Sequence, residues 1–85
     1  MSVIEGLIID VVGDGTVDVK VETIGGDYSK EEVLRIKIGE AVPRTLGRQY
    51  TVDFLREWCL GKRVHCIVRE RGGGNQVEAI EFSSM

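Results

Sequence analysis

Aromatic rings are scarce in this chain, which has two Tyr, two Phe and one Trp among 85 residues, and it holds only one His, one Pro and two Cys. The shortage of histidine and cysteine leaves little for a zinc site or for thiol chemistry. Cys59 and Cys66 lie seven positions apart with His65 beside the second, which is not a metal-ligand spacing, and a structural zinc site takes four ligands. Two buried, reduced thiols are expected rather than a disulfide, and no motif activates either one. His65 has no nucleophile or orienting carboxylate in its pattern, so it reads as a solvated strand residue rather than a general base. No run of about 18 apolar residues is present, which excludes a membrane helix. The opening MSVIEGLIID has no basic region before its apolar run, as a secretory signal would. The expectation is a soluble, cytoplasmic chain with no membrane partner. A chain this short buries only about 60–65% of the surface its unfolded form exposes, so one domain with one core is expected.

What is abundant is charge, and it is unevenly placed. The formal net charge is −3, but residues 1–34 sum to −6, residues 35–71 to +5 and the remainder to −2. The basic stretch holds Arg35, Lys37, Arg44, Arg48, Arg56, Lys62, Arg63, Arg69 and Arg71. A localised basic surface attracts a phosphate backbone if the fold makes these side chains converge. The alternative is that they solvate strand and helix faces and pair with the acidic first third.

Hydrophobic periodicity gives the layout. Residues 3–12 are rich in Val and Ile, and in residues 17–23 Val17, Val19 and Val21 alternate with Asp18, Lys20 and Glu22, the period-two pattern of a half-buried strand. Between them, Gly13-Asp14-Gly15-Thr16 reads as a hairpin turn, since Asp and Gly both tolerate positive φ. A third strand spans 32–38, with Leu34, Ile36 and Ile38 on one face and Val33, Arg35 and Lys37 on the other. Pro43 and Gly47 break the chain before Tyr50, Phe54, Leu55, Trp58 and Cys59, whose spacing is the apolar stripe of an amphipathic helix closed by Gly61. Val64, Cys66 and Val68 alternate with Arg63, His65 and Arg69 as a fourth strand, and the loop Gly72-Gly73-Gly74-Asn75 turns it into a fifth over 76–82. The order is β-β-β-α-β-β, mainly β, as in a five-stranded OB barrel with one amphipathic helix between strands three and four.

That order, the turn VVGDGTVDVKV, the strand LRIKIG followed by Pro43, and the run GRQYTVDFLREWCLGKRVHCIV resemble the staphylococcal-nuclease-like family. The likeness spans nearly all of residues 1–85 and is closest at Phe54-Leu55 and Leu60-Gly61-Lys62-Arg63-Val64. It implies a single nuclease-like OB domain. In that family two Asp residues bind calcium, a Glu activates the attacking water and two Arg steady the phosphate. Carried onto this chain, the calcium positions fall on Gly15 and Ala41, the Glu on Arg44, and the arginines on Ile36 and Gln76. A one-residue slip would restore Asp14, Arg35 and Glu40, but only the register with Leu34, Ile36 and Ile38 inward builds a core.

The expectation is therefore a catalytically degenerate module, not an enzyme, without cofactor or metal. OB barrels bind single-stranded DNA or RNA through basic grooves and stacking rings. The expected contacts are Arg35, Lys37, Arg44, Arg48, Arg63 and Arg69, with Tyr28 as the ring free to stack. Phe54, Trp58, Tyr50 and Phe82 read as core. A protein-interaction or self-assembly module is the alternative, with an outward, exposed Ile67 and the open edges of strands three and five as contact points. Calcium-dependent phosphodiester hydrolysis ranks third.

Overall fold

A computed structural model describes residues 2–22, 31–38, 51–69 and 74–84. Its elements are β1 (Ser2–Gly13), β2 (Thr16–Val21), β3 (Val33–Lys37), α1 (Val52–Trp58), β4 (Arg63–Val68) and β5 (Gln76–Ser84). The strands close into a barrel in the order β1-β2-β3-β5-β4. All pairings are antiparallel except that of β3 with β5, where Arg35, Ile36 and Lys37 run parallel to Gln76, Val77 and Glu78. This is the mainly β, five-stranded barrel with a helix between its third and fourth strands that the periodicity predicts.

Closure depends on β1 serving two partners. Its first half, Ser2 to Leu7, pairs with β4, while Gly6 to Gly13 pairs with β2. Gly6 stands where both ladders meet, opposite Val21 on one side and Val64 on the other. A Cβ at Gly6 would lie 2.5 Å from the Lys20 carbonyl oxygen and 2.6 Å from Val19 Cγ1, so this crossing needs a residue without a side chain. Farther along, the register shifts between Ile8 and Asp10 and again between Val11 and Gly13. The extra residue reverses which side chains face inward. Ile4 and Ile8 are buried and so is Val11, whereas Ile9 and Val12 are turned out.

The inward faces meet in one core built from Ile4, Ile8, Val17, Val19, Val21, Leu34, Ile36, Ile38, Val64 and Val68, all at most 1% exposed. The alternation of β3 holds throughout, with Val33, Arg35 and Lys37 exposed between buried neighbours. Leu55 and Cys59 on α1 join this core, and Phe54 and Trp58 pack against it. The Phe54 and Trp58 rings stack at 5.7 Å, and Trp58 meets buried Phe82 at 6.0 Å. These rings serve packing, as the helical stripe predicts. Tyr50 lies outside the described residues.

Two interactions set the start of α1. The Thr51 hydroxyl accepts from the Phe54 N–H at 3.3 Å, and the Asp14 carboxylate, reaching from the β1–β2 turn, accepts from the Val52 N–H at 3.1 Å. Both satisfy amides that the first helical turn leaves without an intrahelical partner. In the turn itself Gly15 takes the left-handed backbone, φ 72°, and Asp14 does not. At the other end the helix stops at Cys59, and the left-handed residue is Gly61, φ 79°, two positions beyond. Its N–H donates to the Ile8 carbonyl at 2.9 Å, and the Ile8 N–H donates to Lys62 O at 3.0 Å. This glycine therefore leads the chain from the helix into the β4–β1 ladder.

Two expectations about exposed contact points need correction. The third and fifth strands are not open edges, because β3 and β5 pair with each other and close the barrel. Ile67 faces outward but is half-buried rather than exposed. Its register partner on β1 is Val3 and on β5 is Glu81.

Candidate nucleic-acid interface

The basic side chains expected to bind phosphate are arranged by a fact of topology. Strands β3 and β4 are not neighbours, since β5 runs between them. Lys37 on β3 is paired in register with Glu78 on β5, and the Arg69 N–H, just past β4, donates to the Glu78 carbonyl at 2.9 Å. Lys37, Glu78 and Arg69 thus form one row across three adjacent segments. Together with Gln76 and Val77 they line a surface groove of about 330 Å³. Arg35 stands next to it, opposite Gln76, with its N–H donating to the Asn75 carbonyl at 2.8 Å.

The cations differ in how much of their hydrogen-bonding capacity is already spent. Arg35 Nε donates to Asp18 Oδ1 at 3.1 Å, and this bond together with the Asp18 charge raises the guanidinium's already high pKa. Arg63 is held by two donors, Nε at 3.1 Å and Nη2 at 3.4 Å, on the Glu22 carboxylate. Arg69 approaches Glu78 only to 3.6 Å, with the two side chains 67% and 64% exposed. That distance is beyond a hydrogen bond, so the Arg69 fork remains unspent on this acid. Lys37 forms no ion pair with any described residue.

Position separates these residues further. Arg63 opens β4, and Arg69 follows its last residue. Six strand steps at about 3.3 Å each put them roughly 20 Å apart, at opposite ends of the barrel. The structure brings Lys37 and Arg69 together with Arg35 beside them, and it sets Arg63 apart. Tyr28, Arg44 and Arg48 lie outside the described residues. Pairing with the acidic first third accounts for Arg35 and Arg63, whose partners Asp18 and Glu22 come from β2 and the residue after it.

Three groove residues, Gln76, Val77 and Glu78, are not among the contacts expected from sequence. The resemblance marks Gln76 only as the place of a missing arginine, and Glu78 is one of the two acids that follow residue 71. The available signal was the OB strand order itself, which sets the start of the fifth strand beside the end of the third.

Among the described residues no group of three or more His, Cys, Asp or Glu converges as metal ligands would. The Asp14 carboxylate is engaged with the Val52 amide, and Gly15 offers no side chain; Glu40, Ala41 and Arg44 lie outside the described residues. Cys59 and Cys66 are free and fully buried. Burial pushes the Cys59 thiol up to about 11, with nearby Lys62 acting in the opposite sense, and the Cys66 thiol up to about 12. The Cys59 S–H donates to the Leu55 carbonyl at 3.2 Å. Both sulfurs are therefore protonated packing atoms at neutral pH, and a protonated buried thiol is a poor nucleophile. No helix among the described residues is long and apolar enough to cross a membrane. Compared with known proteins, the chain matches no protein-family model, no curated protein and no solved structure.

Proposed function

We propose that this chain is a nuclease-like OB barrel that binds single-stranded DNA or RNA without cleaving it. The observation that carries the reading is the convergence of Lys37 and Arg69 on one groove, with Arg35 at its side. The sequence resemblance to the staphylococcal-nuclease-like family supports it, because the barrel end that holds this groove also holds Ile36 and Gln76, the positions where that family's arginines would fall. Lys37 and Arg69 supply positive charge that is not tied up by a hydrogen-bonded ion pair among the described residues, as phosphate contacts require. Among the described residues Phe54, Trp58 and Phe82 are committed to packing, so the contacts these residues offer are to phosphate and are weak and salt-dependent, with Tyr28 proposed as the stacking ring. The reading assigns the chain to the cytoplasm, where reducing conditions keep thiols such as Cys59 and Cys66 unpaired.

The test is fluorescence anisotropy of labelled single-stranded DNA and RNA with the full chain across a salt series, with calcium and with chelator. Two to three phosphate contacts predict a slope of log K against log salt of about −1.4 to −2.1. Charge reversal in Lys37→Glu/Arg69→Glu should abolish binding, while Arg63→Glu should retain most of it. Absence of binding at low salt overturns the reading, and calcium-dependent cleavage overturns its non-catalytic part.

A second reading, self-assembly, is favoured by the outer face of β1. There Val3 is 53% exposed and Ile9 44% exposed, with half-buried Leu7 between them and Ile67 opposite Val3. Sedimentation of the chain distinguishes it. A dimer dissolved by Val3→Lys supports assembly, and a monomer at all concentrations removes it.

A further inference from the structure

The row Lys37, Glu78, Arg69 places an acid between the two cations of the proposed groove. Resting on the nucleic-acid reading, we infer that Glu78 is a built-in competitor of the phosphate: it occupies the electrostatic field of Arg69 when the groove is empty and must yield when a phosphate enters.

Three features make Glu78 displaceable rather than structural. Its carboxylate stands 3.6 Å from Arg69 Nε, too far for the hydrogen bond that fixes Asp18 on Arg35 or Glu22 on Arg63. Both side chains of the pair are about two-thirds exposed, so little holds them in one geometry and solvent screens them. The backbone beneath needs no help from the pair, since the Arg69 N–H to Glu78 carbonyl bond already joins the two strands at 2.9 Å. A phosphate oxygen brought to the fork would make short, charge-assisted bonds that Glu78 does not make.

The opposition from Glu78 also scales with the charge of the phosphate. With Glu78 ionised, the row carries +1, which matches the single negative charge of an internal phosphodiester. A terminal phosphate monoester, near −2 at neutral pH, would meet the same carboxylate with greater repulsion. Glu78 therefore narrows the advantage that two unopposed cations would give a doubly charged strand end over an internal phosphodiester.

The experiment compares the full chain with Glu78→Gln and with Glu81→Gln, which removes one charge from the same strand outside the groove. Each is titrated by anisotropy against a labelled single-stranded oligonucleotide with and without a 5′-phosphate, at low salt. Glu78→Gln should tighten binding about twofold to fivefold, the range of an exposed charge pair. The gain should be larger for the 5′-phosphorylated strand, and Glu81→Gln should show no preference between the two. Glu78→Ala must behave like Glu78→Gln, which guards against an effect of the amide itself.

Binding by the wild type that Glu78→Gln and Glu81→Gln improve equally overturns the competitor role and leaves the nucleic-acid reading standing. Binding by Glu78→Gln alone supports the competitor role in its strongest form. No binding by any of the four proteins overturns the nucleic-acid reading, and the competitor role falls with it.

Discussion

Replacing Gly6 by alanine tests the barrel's closure at its narrowest point. The added Cβ would meet the Lys20 carbonyl oxygen at 2.5 Å and Val19 Cγ1 at 2.6 Å, about 1 Å inside the usual contact distance near 3.5 Å. Val19 Cγ1 belongs to a side chain buried in the core, and the oxygen belongs to the backbone of β2, so neither can swing away into solvent. Overpacking of this kind costs about 1–3 kcal/mol, and a backbone neighbour puts Gly6→Ala in the upper half, about 2–3 kcal/mol. A chain of this length has roughly 4–13 kcal/mol in total. At about 4–8 °C per kcal/mol for a domain of this size, the melting temperature should fall by roughly 8–24 °C. The control is Gly13→Ala, where a Cβ meets nothing within 4 Å and φ is not positive. There alanine should be neutral or stabilise by about 0.4–1 kcal/mol through the unfolded chain. Urea melts followed by Trp58 fluorescence and far-ultraviolet circular dichroism read both variants. A Gly6→Ala protein within about 0.5 kcal/mol of wild type, or a Gly13→Ala protein destabilised as much as Gly6→Ala, would refute the steric argument.

The Asp14 carboxylate bonded to the Val52 N–H predicts that Asp14→Ala lowers stability by about 0.5–1 kcal/mol, the lower part of the capping range because the bond is exposed. Asp14→Asn, which keeps an acceptor oxygen, should recover most of it in the same urea melts, and an equal loss in both variants would show that the bond contributes nothing. The buried thiols predict a loss of stability at alkaline pH. Their native pKa values stand at about 11 and about 12 against an ordinary 9.0. Stability is therefore complete below about pH 9 and falls as pH rises from there toward 12, because the unfolded chain releases these protons first. Urea melts from pH 8 upward should show a steeper decline for wild type than for Cys59→Ala/Cys66→Ala, and parallel declines would contradict it. Under native conditions at pH 8 a thiol-reactive dye should label neither cysteine until denaturant is added.

Much of the architecture follows from local pattern. The alternation through Leu34, Ile36 and Ile38 and that through Val64, Cys66 and Val68 set which faces are buried, because a strand's side chains alternate strictly and only one face can join a core. The Leu55 and Cys59 stripe likewise reads out the helix. Such signals are short-range, and burial of one apolar face is enough to enforce them. The bulges in β1 were not legible in this way, since residues 3–12 are apolar on both faces and no alternation marks where Ile9 turns outward. The role of Gly6 was hidden for a related reason: a glycine in a strand does not say which distant backbone will approach it.

The candidate site divides along the same line. Sequence alone determined that the bases cluster between residues 35 and 71, that Arg35 and Lys37 share an outward face, and that few rings are free to stack. Only the tertiary structure decided which of those charges remain available. It set Asp18 on Arg35 and Glu22 on Arg63, placed β5 between β3 and β4, and so put Glu78 between Lys37 and Arg69. Charge along a chain is a one-dimensional sum, whereas a binding surface depends on which strands are neighbours. In a closed barrel that is settled by pairings between residues far apart in sequence.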